Sequence, residues 1–191
     1  MRIAIVDNND SFTYNLQHYV NKHVDNVVVL RSNDTAVNDL SIYDGIILSP
    51  GPGLPDDFIN LRLIIEKFYK TIPILGICLG HQAIGLYFGA RLKNLNEVYH
   101  GLSLNTQITD RQEIIFKSIP EKFLSGRYHS WVIDKTDLPE VLNITAIDPD
   151  LDLIMGIRHI NYNIKGMQFH PESIMTENGR QIISNWIESI L

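Results

Sequence analysis

The sequence predicts an α/β fold: an open, mostly parallel sheet with helices on both faces and an antiparallel extension. Two observations carry the parallel part. Short apolar runs at Arg2–Val6, Asn26–Arg31, Gly45–Ser49 and Pro73–Ile77 are continuous rather than alternating, as in strands buried on both faces. They alternate with segments whose apolar residues recur at helical spacing, the order expected of parallel strands joined by helical crossovers. A third observation carries the extension: beyond about Ala90 the chain reads as successive strands with short turns.

The elements follow in order. Arg2–Val6 ends at the polar turn Asp7-Asn8-Asn9-Asp10, and Ser11 is placed to cap a helix carrying Phe12, Leu16, Tyr19 and Val20. Asn26–Arg31 is the second strand, and Gly45–Ser49 the third, running into a Pro-Gly loop. A helix is expected from about Phe58 to Lys70, a strand at Pro73–Ile77, and a helix at Leu79–Phe88. Leu102–Ile108, Tyr128–Asp134, Asn143–Ile147, Leu153–Arg158 and Ile164–Phe169 are the later strands. Thr176 is placed to cap a last helix, Glu177–Ile190, whose Ile182, Ile183, Trp186, Ile187 and Ile190 form one apolar stripe. No linker is long enough to divide the chain, so residues 1–191 read as one domain.

Composition narrows the function. Sixteen Lys+Arg against 22 Asp+Glu give a net charge of −6, which argues against binding a nucleic-acid backbone. No apolar run approaches the roughly 18 residues of a membrane span, and the opening run meets Asp7 too early for a secretory signal, so a cytoplasmic protein is expected. One cysteine excludes a disulfide scaffold. There is no C-x-x-C, H-E-x-x-H or P-loop pattern, so no metal site is expected.

That cysteine sits in Gly76-Ile77-Cys78-Leu79-Gly80, at the junction of a predicted strand and helix. This is a G-x-nucleophile-x-G elbow with Cys in place of Ser. A sharp turn exposes the side chain, the glycines relieve clashes, and the free N–H groups of the helix start favour thiolate. A buried cysteine acting as a small hydrophobe is the alternative, which two glycines in register weaken. A thiol nucleophile needs a base. His170 ends the run Ile164–Phe169 and precedes Pro171 and Glu172, whose carboxylate can fix the ring tautomer. Spacing alone leaves the choice between it and the other six histidines open. Of these, His18 and His23 read as helix-surface residues, His81 as constrained by the elbow helix, and His100, His129 and His159 as structural or pocket-lining. The loop Ser49-Pro50-Gly51-Pro52-Gly53 can present backbone N–H groups as half of an oxyanion hole, with the Leu79 N–H as the other half, or can be a rigid turn.

These residues resemble the class I, triad-type glutamine amidotransferases, whose fold is flavodoxin-like. The resemblance spans essentially the whole chain. It rests on Asp7-Asn8, Asp10–Leu16, Ser49–Gly53, Gly76–Gln82, Gly126-Arg127-Tyr128-His129-Ser130, Met155–His159 and Gln168-Phe169-His170-Pro171-Glu172-Ser173. Within that family the chain is most similar to the glutamine-hydrolysing subunits of chorismate-using synthases, those making anthranilate or 4-amino-4-deoxychorismate. The resemblance implies a triad of Cys78, His170 and Glu172, and an oxyanion hole from Gly51, Gly53 and Leu79. It implies glutamine held by Gly51, Pro52, Gly53, Gln82, Ser130 and Trp131. It also implies ammonia delivery to a separate synthase chain, component I of either enzyme, facing Asp10, Ser11, Tyr14 and Asn15. That chain would hold chorismate and Mg²⁺, so no cofactor is expected in this one. Two positions depart from the family's pattern: Leu102 replaces a basic residue, and Trp131 stands where Leu is common. A stand-alone cysteine hydrolase of γ-glutamyl compounds and a regulatory protein without turnover are the alternatives.

Overall fold

The computed structural model describes residues 1–190. Its elements are β1 (Arg2–Asp7), α1 (Thr13–Val20), β2 (Asn26–Arg31), β3 (Gly45–Leu48), α2 (Ile59–Phe68), β4 (Ile74–Ile77), α3 (Leu79–Tyr87), β5 (Leu92–Asn94), β6 (Leu102–Ile108), β7 (Lys122–Arg127), β8 (Trp131–Ile133), β9 (Leu142–Asp148), β10 (Leu153–His159), β11 (Ile164–Met167) and α4 (Gly179–Glu188). Nine strands form one sheet in the order β2-β1-β3-β4-β11-β10-β9-β6-β7. The five from β2 to β11 are mutually parallel, and β10, β9, β6 and β7 continue the sheet antiparallel. β5 and β8 pair separately as a two-stranded ribbon.

In β1, β3 and β4 the continuous apolar runs have the predicted cause, whereas β2 is an edge strand with Val28 exposed, so its run does not mark burial on both faces. Along β1, Ile3 and Ile5 enter one core and Ala4 and Val6 the other, and β3 and β4 divide in the same way. Helices α1 and α4 cover the first face through Leu16, Val20, Ile182, Ile183, Trp186 and Ile187. Helices α2 and α3 cover the second through Leu61, Ile64, Ile65, Phe68, Ala83 and Ile84. Each fully buried side chain of this size contributes about 1.5–3 kcal/mol, so the stripe of α4 alone anchors the end of the chain firmly.

Four local expectations are corrected. Ser11 is exposed and does not cap α1, which begins after Phe12. Carboxylates of the turn, stronger acceptors than a hydroxyl, take the donors instead: Asp10 Oδ2 accepts the Phe12 N–H at 2.7 Å and Asp7 Oδ1 accepts the Thr13 hydroxyl at 2.8 Å. The strand expected at Tyr128–Asp134 is only Trp131–Ile133, in the ribbon with β5 rather than the main sheet. β7, absent from the sequence reading, forms the far edge of the sheet. Its inward positions include Ser125 and Arg127, satisfied by Thr106 and Asp148, so no apolar alternation marks it. Finally, Thr176 does not cap α4. Its hydroxyl accepts the Gly126 N–H at 2.9 Å and donates to the His170 carbonyl, while Asn178, at φ 58°, turns the chain into the helix.

Candidate active site

Because β1, β3, β4 and β11 are parallel, their carboxyl ends share one edge of the sheet. That edge carries Asp7-Asn8, the loop Ser49–Gly53, Cys78, and Gln168–Glu172. Cys78 follows β4 at φ 50° and ψ −99°, a conformation that non-glycine residues rarely hold. Its N–H donates to the Met167 carbonyl at 2.8 Å and its carbonyl accepts the Gln82 N–H at 3.0 Å, so the elbow is pinned from both sides. The flanking glycines are required by close approach. A Cβ on Gly76 would lie 2.5 Å from the Gly80 carbonyl, and one on Gly80 would lie 2.4 Å from the Leu48 carbonyl oxygen.

His170 is 2% exposed and its Nδ1 lies 2.8 Å from Glu172 Oε1. Its Nε2 is buried and makes no hydrogen bond among the described residues. Burial pushes the imidazole down, but the Glu172 carboxylate and the Cys78 sulfur beside it outweigh that and hold its pKa well above the ordinary value. The open choice among the histidines closes on position. His18 and His23 are exposed, and His159 Nδ1 accepts the Asn161 and Tyr162 N–H groups in the turn after β10. His81 is fully buried with its ring against Gly166, and burial takes its pKa to about 3. His129 is likewise held neutral by burial, at about 3. His100 packs edge-on against Tyr128 rather than against the thiol.

The Pro-Gly loop is tied to β1. Asn8 N–H donates to Ser49 Oγ and its side-chain amide to the Ser49 carbonyl, both at 2.9 Å. Gly51 packs against Asn8 and Leu79, so the loop and the helix start meet at the thiol. Together Gly51, Pro52, Gly53, Cys78, Leu79, Gln82, Ser130 and Trp131 line a cavity of about 140 Å³ with Tyr128 and His129. All residues expected to hold glutamine or an oxyanion are thus brought to one cavity. Of the residues expected to face a partner, Ser11, Tyr14 and Asn15 are exposed at the start of α1. Asp10 is partly buried. Burial raises its carboxyl, opposed by the Phe12 N–H and by nearby His170. Leu102 is exposed on β6 and does not line the cavity.

Sequence reasoning missed two aromatic supports. The Tyr128 and Phe12 rings stand 4.8 and 5.7 Å from the His170 ring, edge-on, and 5.1 Å from each other. Phe12 is indistinguishable in sequence from the apolar stripe of α1, whereas Tyr128 lies in one of the family motifs without a role that its neighbours in sequence reveal. Among the described residues no group of three or more His, Cys, Asp or Glu side chains is arranged to hold a metal ion. None of the helices described is long and apolar enough to cross a membrane.

A thiol on a strand–helix elbow, a buried histidine paired with a carboxylate and an amide-lined loop are the parts of an α/β cysteine enzyme of acyl transfer. The chain belongs to the glutamine amidotransferase class-I family, whose profile matches residues 4–190. It is 42% identical over 188 residues to anthranilate synthase component 2 of Lactococcus lactis, covering 98% of this chain and 94% of the relative. It is 38% identical over 191 residues to anthranilate synthase component 2 of Pseudomonas aeruginosa, covering 97% and 94%. A solved structure from Thermoplasma acidophilum, described as belonging to a GMP synthase, superposes with a TM-score of 0.88 at 26% identity, covering 100% of this chain and 94% of that one.

Proposed function

We propose that this chain is the glutamine-hydrolysing subunit of a chorismate-using synthase, supplying ammonia for anthranilate in tryptophan synthesis. The observation that carries the reading is the placement of Cys78, on its strained elbow, at a 140 Å³ cavity beside the His170–Glu172 pair. That volume is far below the roughly 300–1,000 Å³ of drug-sized sites, which favours a free amino acid over a peptide. Full-length similarity to anthranilate synthase component 2 supplies the pathway.

In this reading the Cys78 sulfur attacks the side-chain carboxamide carbon of glutamine, forming a C–S bond. The negative oxygen is held by backbone N–H groups of the Gly51–Gly53 loop and Leu79, each worth about 3 kcal/mol in comparable sites. His170, charged and oriented by Glu172, gives its proton to the departing nitrogen, and ammonia leaves as the C–N bond breaks. His170 then takes a proton from water, whose oxygen displaces sulfur, releasing glutamate. Gln82 and the Ser130-Trp131 segment hold the amino-acid end of glutamine. The synthase chain, which brings chorismate and Mg²⁺, docks on the face that carries Asp10, Ser11, Tyr14 and Asn15. This chain needs no cofactor of its own and works in the cytoplasm.

The test combines the chain with glutamine, chorismate, Mg²⁺ and each candidate synthase component I, and identifies the product. Anthranilate is expected. 4-Amino-4-deoxychorismate formed instead would move the chain to folate synthesis, and both products would mean that it serves two synthases. Cys78→Ser should abolish the glutamine-dependent reaction and leave synthesis from added ammonia intact. Glutaminase near the wild-type rate in that variant would overturn the nucleophile assignment. Substituting Asp10 and Tyr14 should weaken complex formation, and unchanged affinity would return that segment to a packing role.

A further inference from the structure

The parallel register of β4 and β11 pairs Ile77 with Met167, so the next residues, Cys78 and Gln168, lie side by side. Gln168 and His170 both lie in the short segment that leaves β11. Gln168 is fully buried, and its side-chain Nε2 lies 3.5 Å from Cys78 Sγ. Its Oε1 lies 3.2 Å from Gln82 Nε2, which in turn donates to the Trp131 carbonyl at 2.8 Å.

The direction of this relay follows from its far end. A backbone carbonyl can only accept, so Gln82 must turn its NH₂ toward Trp131 and Gln168. Gln168 must then meet Gln82 with its oxygen, which leaves its NH₂ facing sulfur. The amide cannot flip without setting two like groups against each other at Gln82. We propose that Gln168 is a positioning residue for the nucleophile: its N–H fixes the Cys78 sulfur in place and favours the anionic sulfur that attacks glutamine. The relay runs from the rim of the cavity to the sulfur, through two amides and no ionisable group. It leaves Gln82 with only its carbonyl oxygen to offer the ammonium group of a bound amino acid.

The titratable groups packed around this region are His170 and Glu172 after β11, His81 on α3, Tyr128 and His129 ahead of β8, and Asp10 in the β1–α1 turn. His81 and His129 are neutral throughout the range in which a thiol is alkylated, since burial keeps both near 3.

This inference rests on Cys78 as the nucleophile, and its test uses a readout that needs no glutamine: the pH–rate profile of Cys78 alkylation by iodoacetamide in the full chain. Gln168→Met keeps length and removes the donor. The neutral-pH rate should fall about tenfold, the size of one hydrogen bond to a charged group, with the profile displaced to alkaline pH and its plateau preserved. Gln168→Glu, closest in shape and the variant to use should Gln168→Met not fold, sets an acceptor against sulfur and should displace the profile further. Gln82→Met, which does not touch the sulfur, should displace it in the same direction by less. Glutaminase of Gln168→Met should lose about tenfold in kcat with KM near that of the wild type. A folded Gln168 variant with the wild-type alkylation profile overturns the relay. Failure of the nucleophile assignment shows separately, as glutaminase retained in Cys78→Ser.

Discussion

Replacing Gly80 with alanine isolates the elbow from the rest of the site. The new Cβ would lie 2.4 Å from the Leu48 carbonyl oxygen and 2.7 Å from Leu48 Cβ, about 1 Å short of the 3.4 Å at which ordinary contact begins. Neither atom at Leu48 can swing away, because the first is backbone at the end of β3 and the second is attached to it. The strain must therefore part β3 from α3. That separates the Pro-Gly loop, which starts at Ser49, from Cys78 at the head of α3. Misplacing reacting groups by 1 Å costs on the order of a hundredfold in rate. Stability should respond much less, since alanine gains about 1 kcal/mol over glycine inside a helix and overpacking costs about 1–3 kcal/mol. The net loss is about 0–2 kcal/mol, a fall in Tm of at most about 8 °C for a chain of this size. Glutaminase kcat/KM and a thermal melt on the same sample give both quantities. Gly85→Ala is the control on the same helix. Its Cβ would meet Cδ1 of Ile133 at 2.5 Å, the tip of a side chain that can re-pack, so activity should stay within about threefold of wild type. If Gly80→Ala also stays within that range, the close approach of β3 and α3 does not set the catalytic geometry.

Glu172→Gln should lower glutaminase kcat by about 10²–10⁴-fold. Glu172 raises the folded pKa of His170, so the stability it gives is complete below the unfolded value of about 6.5 and is lost as pH rises through the folded value. The variant should therefore lose less Tm than the wild type on going alkaline, and an equal loss would count against the pairing. His81 and His129 act in the opposite window. Their folded values are pushed down to about 3, so stability is complete above about 6.5 and falls as pH drops toward 3, with up to two protons taken up on unfolding. Urea unfolding across that range should show it, and His81→Phe should remove about one proton from the slope; an unchanged slope would refute the assignment. Arg127 is 1% exposed and pairs with buried Asp148 at 3.4 Å, so Arg127→Met strands a buried carboxylate and should cost about 3–5 kcal/mol by calorimetry. A loss below about 1 kcal/mol would mean that the Asp150 and Leu151 N–H groups satisfy Asp148 unaided.

What the sequence could reveal followed the physics of each element. β1, β3 and β4 were legible because burial on both faces leaves unbroken apolar runs, and the Pro-Gly loop and elbow because their backbones demand particular residues. β7 was not, since two of its inward side chains are polar and find their partners on neighbouring strands, at Thr106 and Asp148. At the site, Cys78 stood out by its glycines. His170 could not be separated from six others by spacing, because what distinguishes it is a fold-level fact: β11 lies beside β4. Phe12, Tyr128 and Gln168 were hidden for the same reason, each acting through a neighbour distant in sequence.

The architecture divides the work between the two halves of the sheet. The parallel half brings the loop, the thiol and the histidine to one edge through β3, β4 and β11, while the segment at residues 128–131 closes the cavity from the antiparallel half and the ribbon. This division separates the indole of Trp131 from the thiol. The residue's contribution to the thiol runs through a backbone carbonyl, held by the pairing of Trp131 with Asn94, and only its indole lies at the rim. Trp131→Leu should therefore leave the alkylation profile of Cys78 and glutaminase kcat at wild-type values. It should change KM for glutamine by less than about tenfold, or 1.4 kcal/mol of rim contact. Steady-state kinetics and alkylation on the same variant separate the two effects. A profile displaced as far as that of Gln168→Met would show that the indole itself, and not the carbonyl behind it, orients the amides that reach the sulfur.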